Sequence, residues 1–281
     1  MSDNPVVSVI MTVYNGEQYI KGAIDCIRNQ TFTNWEMVIV DDGSQDSTAQ
    51  VLSEVAAVDS RIRIVASERF GRAKALNVAW QNASGQYIAN LDVDDLSRPE
   101  RLAKQVELLK TRPEVGMVST DVLTITYDYN GKERRRDERV LPTDSDTLKH
   151  MLIHTCPIIH SSVMMQRTAL EKVGGYNESY RVAIDYELWT RIGQQYELAN
   201  ISEFLTVLHL HTKRYFHTEI SPWQRARANS NVRWQAWRSF SGNILDLWYV
   251  FADPAISVIR KTVSRQTRRI YHNLRETVGA E

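Results

Sequence analysis

Val6-Val7-Ser8-Val9-Ile10-Met11-Thr12-Val13 runs straight into Tyr14-Asn15-Gly16. The first eight residues are too uniformly apolar for a half-exposed strand, so they read as a strand covered on both faces and closed by a turn. Tyr19, Ile20, Ala23, Ile24 and Ile27 then recur at helical spacing. The unit repeats. Met37-Val38-Ile39-Val40 enters the turn Asp41-Asp42-Gly43-Ser44, and a helix is expected over Ser47 to Val58. Ile62 to Val65 and Tyr87 to Leu91 supply further strands, with helices from about Arg72 to Gln81 and from Pro99 to Leu109. Strands alternating with helices imply an α/β chain with a mostly parallel central sheet and helices on both faces. Ligands of such sheets bind beyond the carboxyl ends of the strands, which is where Thr12, Asp42 and Asp92 fall.

The third of these strand ends reads Leu91-Asp92-Val93-Asp94-Asp95. Three carboxylates within four positions repel one another in a poorly solvated pocket unless a cation or a set of donors compensates them. Hard oxygen ligands of this kind suit Mg²⁺ or Mn²⁺, ions that commonly hold a substrate through its phosphates. The competing reading is a cap for the helix near Pro99. Asp41-Asp42 has two readings as well: an acceptor for a nucleobase or ribose, or a cap for the following helix. Neither a three-glycine dinucleotide fingerprint nor a Walker-type lysine loop follows any strand. A diphosphate held by carboxylates and metal is the arrangement left, and hydrolysis, nucleotidyl transfer and sugar transfer are all compatible with it.

Composition sets the surroundings. The 281 residues balance 34 basic against 34 acidic side chains. Residues 213–281, however, carry twelve basic and five acidic residues, leaving the remainder acidic. An acidic body with a basic tail does not suit a nucleic-acid groove, although the tail could meet an anionic surface. Cys26 and Cys156 show neither metal-ligand spacing nor a disulfide pattern. The opening residues lack a signal-like basic and apolar region, and no apolar run is of spanning length, so a cytoplasmic location is the expectation.

After Gly116-Met117-Val118-Ser119 the alternation loosens. Tyr127 to Gly131 reads as a hairpin turn, Lys132 to Arg139 is strongly charged, Pro157 to Met165 returns to the sheet, and a helix covers Tyr186 to Ile192. Asp185 opens that helix and is either a general base for an acceptor hydroxyl or another cap, with Glu187 as its neighbour. His160 contacts substrate or is structural. Leu208-His209-Leu210-His211 places both imidazoles on one side of a strand, which makes His211 a candidate for the metal or diphosphate site. From Trp223 onward come four of the seven tryptophans among several arginines, with Pro254 ahead of a final basic helix. Those tryptophans are expected to pack the tail onto the body while arginines face water; stacking on acceptor sugars, contact with anionic lipid and a homodimer interface are the alternatives.

Taken in order, Val7 to Asn15, Gln30-Thr31-Phe32, Val40 to Ser44, Gly71-Arg72-Ala73-Lys74-Ala75-Leu76-Asn77, Gly85 to Ala89, and Leu91 to Asp95 with Arg98-Pro99-Glu100-Arg101-Leu102 resemble the family 2 glycosyltransferases. These are inverting enzymes with a Rossmann-like, nucleotide-sugar-binding GT-A fold. The resemblance implies a GT-A catalytic domain over residues 1–220, with a donor half to about 115 and an acceptor half over 116–220. A small antiparallel extension and a helical Trp/Arg-rich tail over 221–281 complete the expected chain. By the same resemblance Asp42 binds the base, commonly uracil, and Thr12 and Tyr14 line the nucleoside pocket. Arg72, Lys74, Asp92 and Asp95 contact the donor, and Asp92 and Asp94 match the Asp-X-Asp metal motif.

Gly174-Gly175-Tyr176 and Asp185 to Trp189 resemble the segment bearing the catalytic base, which gives Asp185 that role. Ile184 stands where the family often has an acid, and Leu208-His209 replaces a common Tyr-Arg pattern before His211. The implied reaction moves a sugar from a nucleoside-diphosphate donor, UDP-linked by the commoner pattern, onto a glycan, lipid-linked glycan or other hydroxyl acceptor. It is assisted by Mn²⁺ or Mg²⁺ and fits bacterial polysaccharide or glycoconjugate synthesis, in the cytoplasm or at the inner face of the plasma membrane. A sugar-phosphate nucleotidyltransferase and an inactive carbohydrate-binding scaffold are the rival functions.

Overall fold

The computed structural model describes residues 4–128, 130–210 and 220–252. Nine strands form one sheet, with β1 (Val7–Val13), β2 (Trp35–Asp41), β3 (Ile62–Ser67) and β4 (Tyr87–Asn90) running parallel in the order β3-β2-β1-β4. Every residue of β2 is buried, and all but Thr12 of β1. Alternation within these strands therefore divides two cores. Val7, Val9 and Met11 join Met37 and Ile39 on one face, while Ile10 joins Val38 and Val40 on the other. Helices cover both faces: α1 (Ile20–Arg28), α2 (Thr48–Val58), α3 (Arg72–Gln81) and α4 (Arg101–Thr111). As its spacing predicts, α1 buries Ile20, Ala23, Ile24 and Ile27.

Beyond β4 the sheet changes direction. The short β5 (Leu96–Ser97) lies at the far edge, and β6 (Val115–Tyr127) pairs antiparallel with β7 (Glu133–Arg139). The charged Lys132 to Arg139 run is thus mostly an exposed edge strand, where charge discourages pairing with other chains. The expected strand over Pro157 to Met165 shrinks to β8 (Met164–Gln166), antiparallel to both β4 and β6. Pro157 has no amide to donate, and His160–Ser162 forms a 3-10 turn instead. α5 (Ser145–His154), α6 (Arg167–Val173) and α7 (Ile184–Gly193) then precede β9 (Glu197–Leu210), which runs parallel to β6 and antiparallel to β5.

One buried cation fixes the turn after β4. The Arg101 guanidinium is fully buried and donates to Gln105 Oε1, Ser97 Oγ and the backbone carbonyls of Asn90 and Val163. Burial brings its pKa down to about 10. These bonds pin α4 to the strand end from which the acidic cluster emerges.

α8 (Pro222–Ser239) starts with a capping box, Ser221 and Gln224 each satisfying the other's backbone amide, and Pro222 occupies its first turn. It packs on α5 and α7. The expected division between packed tryptophans and solvated arginines is not what the segment does. Trp237 packs against the core, but Trp223 and Trp248 are mostly exposed, whereas Arg233 is buried and donates to the Tyr249 carbonyl. Anchoring here falls to polar groups: Trp237 Nε1 donates to Asn243 O, and Asn243 and Asp246 cap each other's backbone. Among the described residues no helix is long and apolar enough to cross a membrane.

Candidate active site

The turn after β1 and the turn after β2 are knitted together. Asn15, in a left-handed conformation, donates its amide to Ser44 Oγ and accepts the Gln45 amide, while the Gly16 amide reaches Thr48 Oγ1. Asp41 accepts the Ser44 amide in a local turn. Buried Asp42 does something non-local: its Oδ1 accepts the amides of Phe70 at 2.6 Å and Gly71 at 2.9 Å, at the entrance of α3. It therefore does not cap α2. Gly43 has φ of +75°, and a side chain there would press on the Arg69 backbone. The Arg69 guanidinium lies 3.6 Å over the Tyr14 ring, forming one wall of the crevice. Thr12, half-buried, stands opposite Val40 in the β1–β2 register just below.

The acidic cluster is not a helix cap either. The residue before α4 is Glu100, and no side chain caps that helix. Arg72 NH2 instead lies 2.9 Å from each Asp92 oxygen. Asp92 Oδ1 is also 3.0 Å from His160 Nδ1, and His160 Nε2 is 3.0 Å from the Tyr176 hydroxyl, which meets Asn90. His160 is buried and stacked on Trp189. Burial opposes ionisation of Asp92, but the charges of Arg72 and His160 outweigh it and hold its carboxyl well below the usual range. Burial likewise opposes the Arg72 cation, and Asp92 and Asp185 outweigh it there too. Asp92 was expected to share a metal with Asp94; both its oxygens are engaged by Arg72 here.

Asp95 is buried, accepts a short hydrogen bond from the Ser161 hydroxyl and takes the His209 amide. Burial first, then the charges of Asp92 and Asp94, push its carboxyl well above the usual range. Half-buried Asp94 lies on the Tyr19 side, where its charge adds to burial in raising the phenol pKa. Arg72 offsets the charge of Asp92, and the carboxyl oxygens of Asp94 and Asp95 stand beside that pair. Oxygen donors of this kind fit a hard divalent cation held by one or two carboxylates and a substrate's phosphates.

Asp185, half-buried in the first turn of α7, lies two residues after the helix's N-cap Ala183, whose φ of +56° is unusual for a residue with a side chain. Its charge adds to that of Asp92 in favouring the Arg72 cation, and it also acts on the Tyr176 hydroxyl. Glu187 is removed from contention. It is buried and bonded through both oxygens to Arg191, which in turn clamps the Val173 and Gly175 carbonyls. Lys74 is exposed, with its ammonium 4.9 Å over the Phe70 ring. His211 lies outside the described residues. Sequence reading missed Arg69, whose only signal was its position just before Phe70-Gly71-Arg72, and the positioning roles of Ser161 and Tyr176.

Comparison with known proteins bears on this arrangement. The family model described as "Glycosyl transferase family 2" matches residues 8–174. A Haemophilus influenzae protein named "Uncharacterized glycosyltransferase" is 31% identical over 222 residues, covering 75% of this chain and 67% of its own. Among solved structures, Staphylococcus aureus TarS 1-349 in complex with UDP-GlcNAc gives a TM-score of 0.67 at 18% identity, covering 89% of this chain and 72% of that one. The mannosyltransferase PcManGT of Pyrobaculum calidifontis, in complex with GDP-Man and Mn²⁺, gives 0.64 at 22% identity, covering 93% and 76%. At these identities the two structures speak for the GT-A-like fold.

Proposed function

Since the chain belongs to glycosyltransferase family 2, we propose that it transfers a sugar from a nucleoside diphosphate, UDP by our reading, to an acceptor hydroxyl with inversion at the anomeric carbon. The observation that supports this reading is the chain of contacts at the entrance of α3: Asp42 holds the Phe70 and Gly71 amides, and the next residue, Arg72, pairs with Asp92 of the acidic cluster. Asp42 uses Oδ1 on the Phe70 and Gly71 amides, which orients Oδ2 toward a base N–H. Tyr14, held under Arg69, and Thr12 line the nucleoside. Asp94 would hold Mn²⁺ or Mg²⁺, which would supply positive charge for the diphosphate. Asp92, fixed by Arg72 and His160, faces the donor sugar, and Asp95 supports the loop from behind. Lys74 is left as an outer donor contact.

Asp185 takes the proton from the acceptor hydroxyl as that oxygen bonds to the anomeric carbon and the bond to the diphosphate breaks. Asp92 has both oxygens engaged by Arg72 and one also by His160, so the base role falls to Asp185. Residues 1–115 then supply the donor half, 116–220 the acceptor half, and 221–281 the extension. Exposed Ile244, Leu245, Trp248 and Phe251, followed in sequence by the basic residues of 260–275, support contact with the inner face of the plasma membrane, where a lipid-linked glycan would be the acceptor in polysaccharide or glycoconjugate synthesis. Proton NMR of the product formed from UDP-sugars with Mn²⁺ tests the reaction. An anomeric configuration opposite to the donor's is expected. A retained configuration, or release of inorganic pyrophosphate from a nucleoside triphosphate and a sugar phosphate, would overturn it.

A further inference from the structure

A second cluster of metal-binding side chains lies away from the crevice. His150 and His154 are one helical turn apart on α5, and Asp246 approaches them from the 3-10 turn of the C-terminal segment. One ligand atom from each residue lies within 4.8 Å of the other two. The residue types differ from those of the acidic crevice. Two imidazoles and one carboxylate suit Zn²⁺ and its transition-metal neighbours, whereas oxygen-only clusters suit Mg²⁺ and Mn²⁺.

The carboxylate is already oriented. Asp246 is buried, its Oδ2 accepts the Asn243 amide at 2.8 Å, and its Oδ1 is directed at His154 Nε2, 2.7 Å away. One oxygen is thus held by backbone and the other presented to the imidazole, the orienting arrangement that metal-ligating carboxylates commonly have. His154 is braced by the Tyr249 ring at 4.1 Å, and His150 meets His154 edge-on at 4.9 Å. Two ligands of one tetrahedral zinc stand roughly 3.3 Å apart when metal–ligand distances are about 2.0–2.1 Å. The 2.7 Å contact between His154 and Asp246 opens by well under an ångström when an ion replaces the proton between them.

We infer that His150, His154 and Asp246 form a transition-metal site of the Zn²⁺ class, with a fourth position open to water, that ties the 243–252 segment to α5. An ion there bridges the body of the protein and its extension, and so fixes the segment bearing Trp248 and Phe251. The inference does not depend on the donor chemistry assigned to the crevice.

The test is titration of the full-length protein with Co²⁺ and with Zn²⁺ in excess Mg²⁺, reading the ligand-field absorption of tetrahedral Co²⁺ and the heat of Zn²⁺ binding. One ion per chain is expected. His150→Ala should abolish the Co²⁺ band and weaken Zn²⁺ at least about a hundredfold, Asp246→Asn should act in the same direction, and Asp94→Asn should leave both signals intact. His150 is exposed, so its replacement leaves the fold in place, as far-ultraviolet circular dichroism would verify. Absence of a tetrahedral Co²⁺ signal in the parent, equal Zn²⁺ affinity in His150→Ala, or loss of the signal in Asp94→Asn would each overturn the inference.

Discussion

The strand-end crevice and the 243–252 segment both rely on buried carboxylates, and they use them to opposite ends. In the crevice, buried strands deliver carboxylates into a small space, where Arg72 and His160 engage Asp92, Ser161 donates to Asp95, and the Phe70 and Gly71 amides donate to Asp42. In the segment, Asn243 and Asp246 face the body and bind it, while Ile244 and Leu245 point outward with 79% of their surface exposed. Polar groups in the first region create a reactive environment; in the second they are the attachment itself. The lesson is that residue type alone does not assign a role here. Asp92 and Asp95 are three positions apart, yet one carboxyl is pushed down and the other up.

The largest expected effect breaks the crevice at its base. Asp185→Asn should lower kcat by about 10² to 10⁴-fold while leaving UDP affinity within a few-fold, because the amide cannot take the acceptor's proton. Initial-rate kinetics with a calorimetric measurement of UDP binding would separate the two. A variant that lost UDP binding as well would place Asp185 in the donor pocket instead.

Next comes the frame that aims the cluster. Arg101→Ala leaves the Asn90 and Val163 carbonyls and Gln105 without their buried donor, and should cost about 3 kcal/mol or more by urea denaturation. No equal loss is expected from truncating exposed Trp248. Smaller still is a pH effect confined to the extension. Burial opposes ionisation of Asp246, but bonds from His154 and the Asn243 amide outweigh it and lower its pKa. Its contribution is therefore complete above the ordinary aspartate value of about 3.9 and is lost as pH falls below that. Tryptophan fluorescence should show an acid transition of the segment that is missing from Asp246→Asn, whose signal is already that of the released form.

Much of the donor-side architecture could be read from the chain because its signals are local. Val6 to Val13 is apolar enough to demand burial on both faces, and the turns that follow the first two strands carry their polar residues in sequence. The family resemblance stood on these same stretches, and residues 8–174 match the family model. What could not be read is contact at long range. Nothing near Asp42 announces that its oxygen will accept amides 28 and 29 positions away, and nothing near Arg101 announces a fully buried guanidinium. The strand expected from Pro157 is shortened to β8 for a related reason: buried His160 and Ser161 are committed to Asp92 and Asp95. Glu187 stood as the nearby alternative to Asp185, and nothing in the sequence shows that Arg191 engages both of its oxygens.

The central claim is that Asp94 couples a divalent ion to the diphosphate while Asp92 is held by Arg72. It is tested most directly by calorimetric titration of UDP into the protein with and without Mn²⁺, in the parent and in Asp94→Asn. The parent should bind UDP at least about tenfold more tightly with Mn²⁺, and Asp94→Asn should bind it weakly and equally in both conditions. An Asp94→Asn protein that kept the full Mn²⁺-dependent gain would contradict the account.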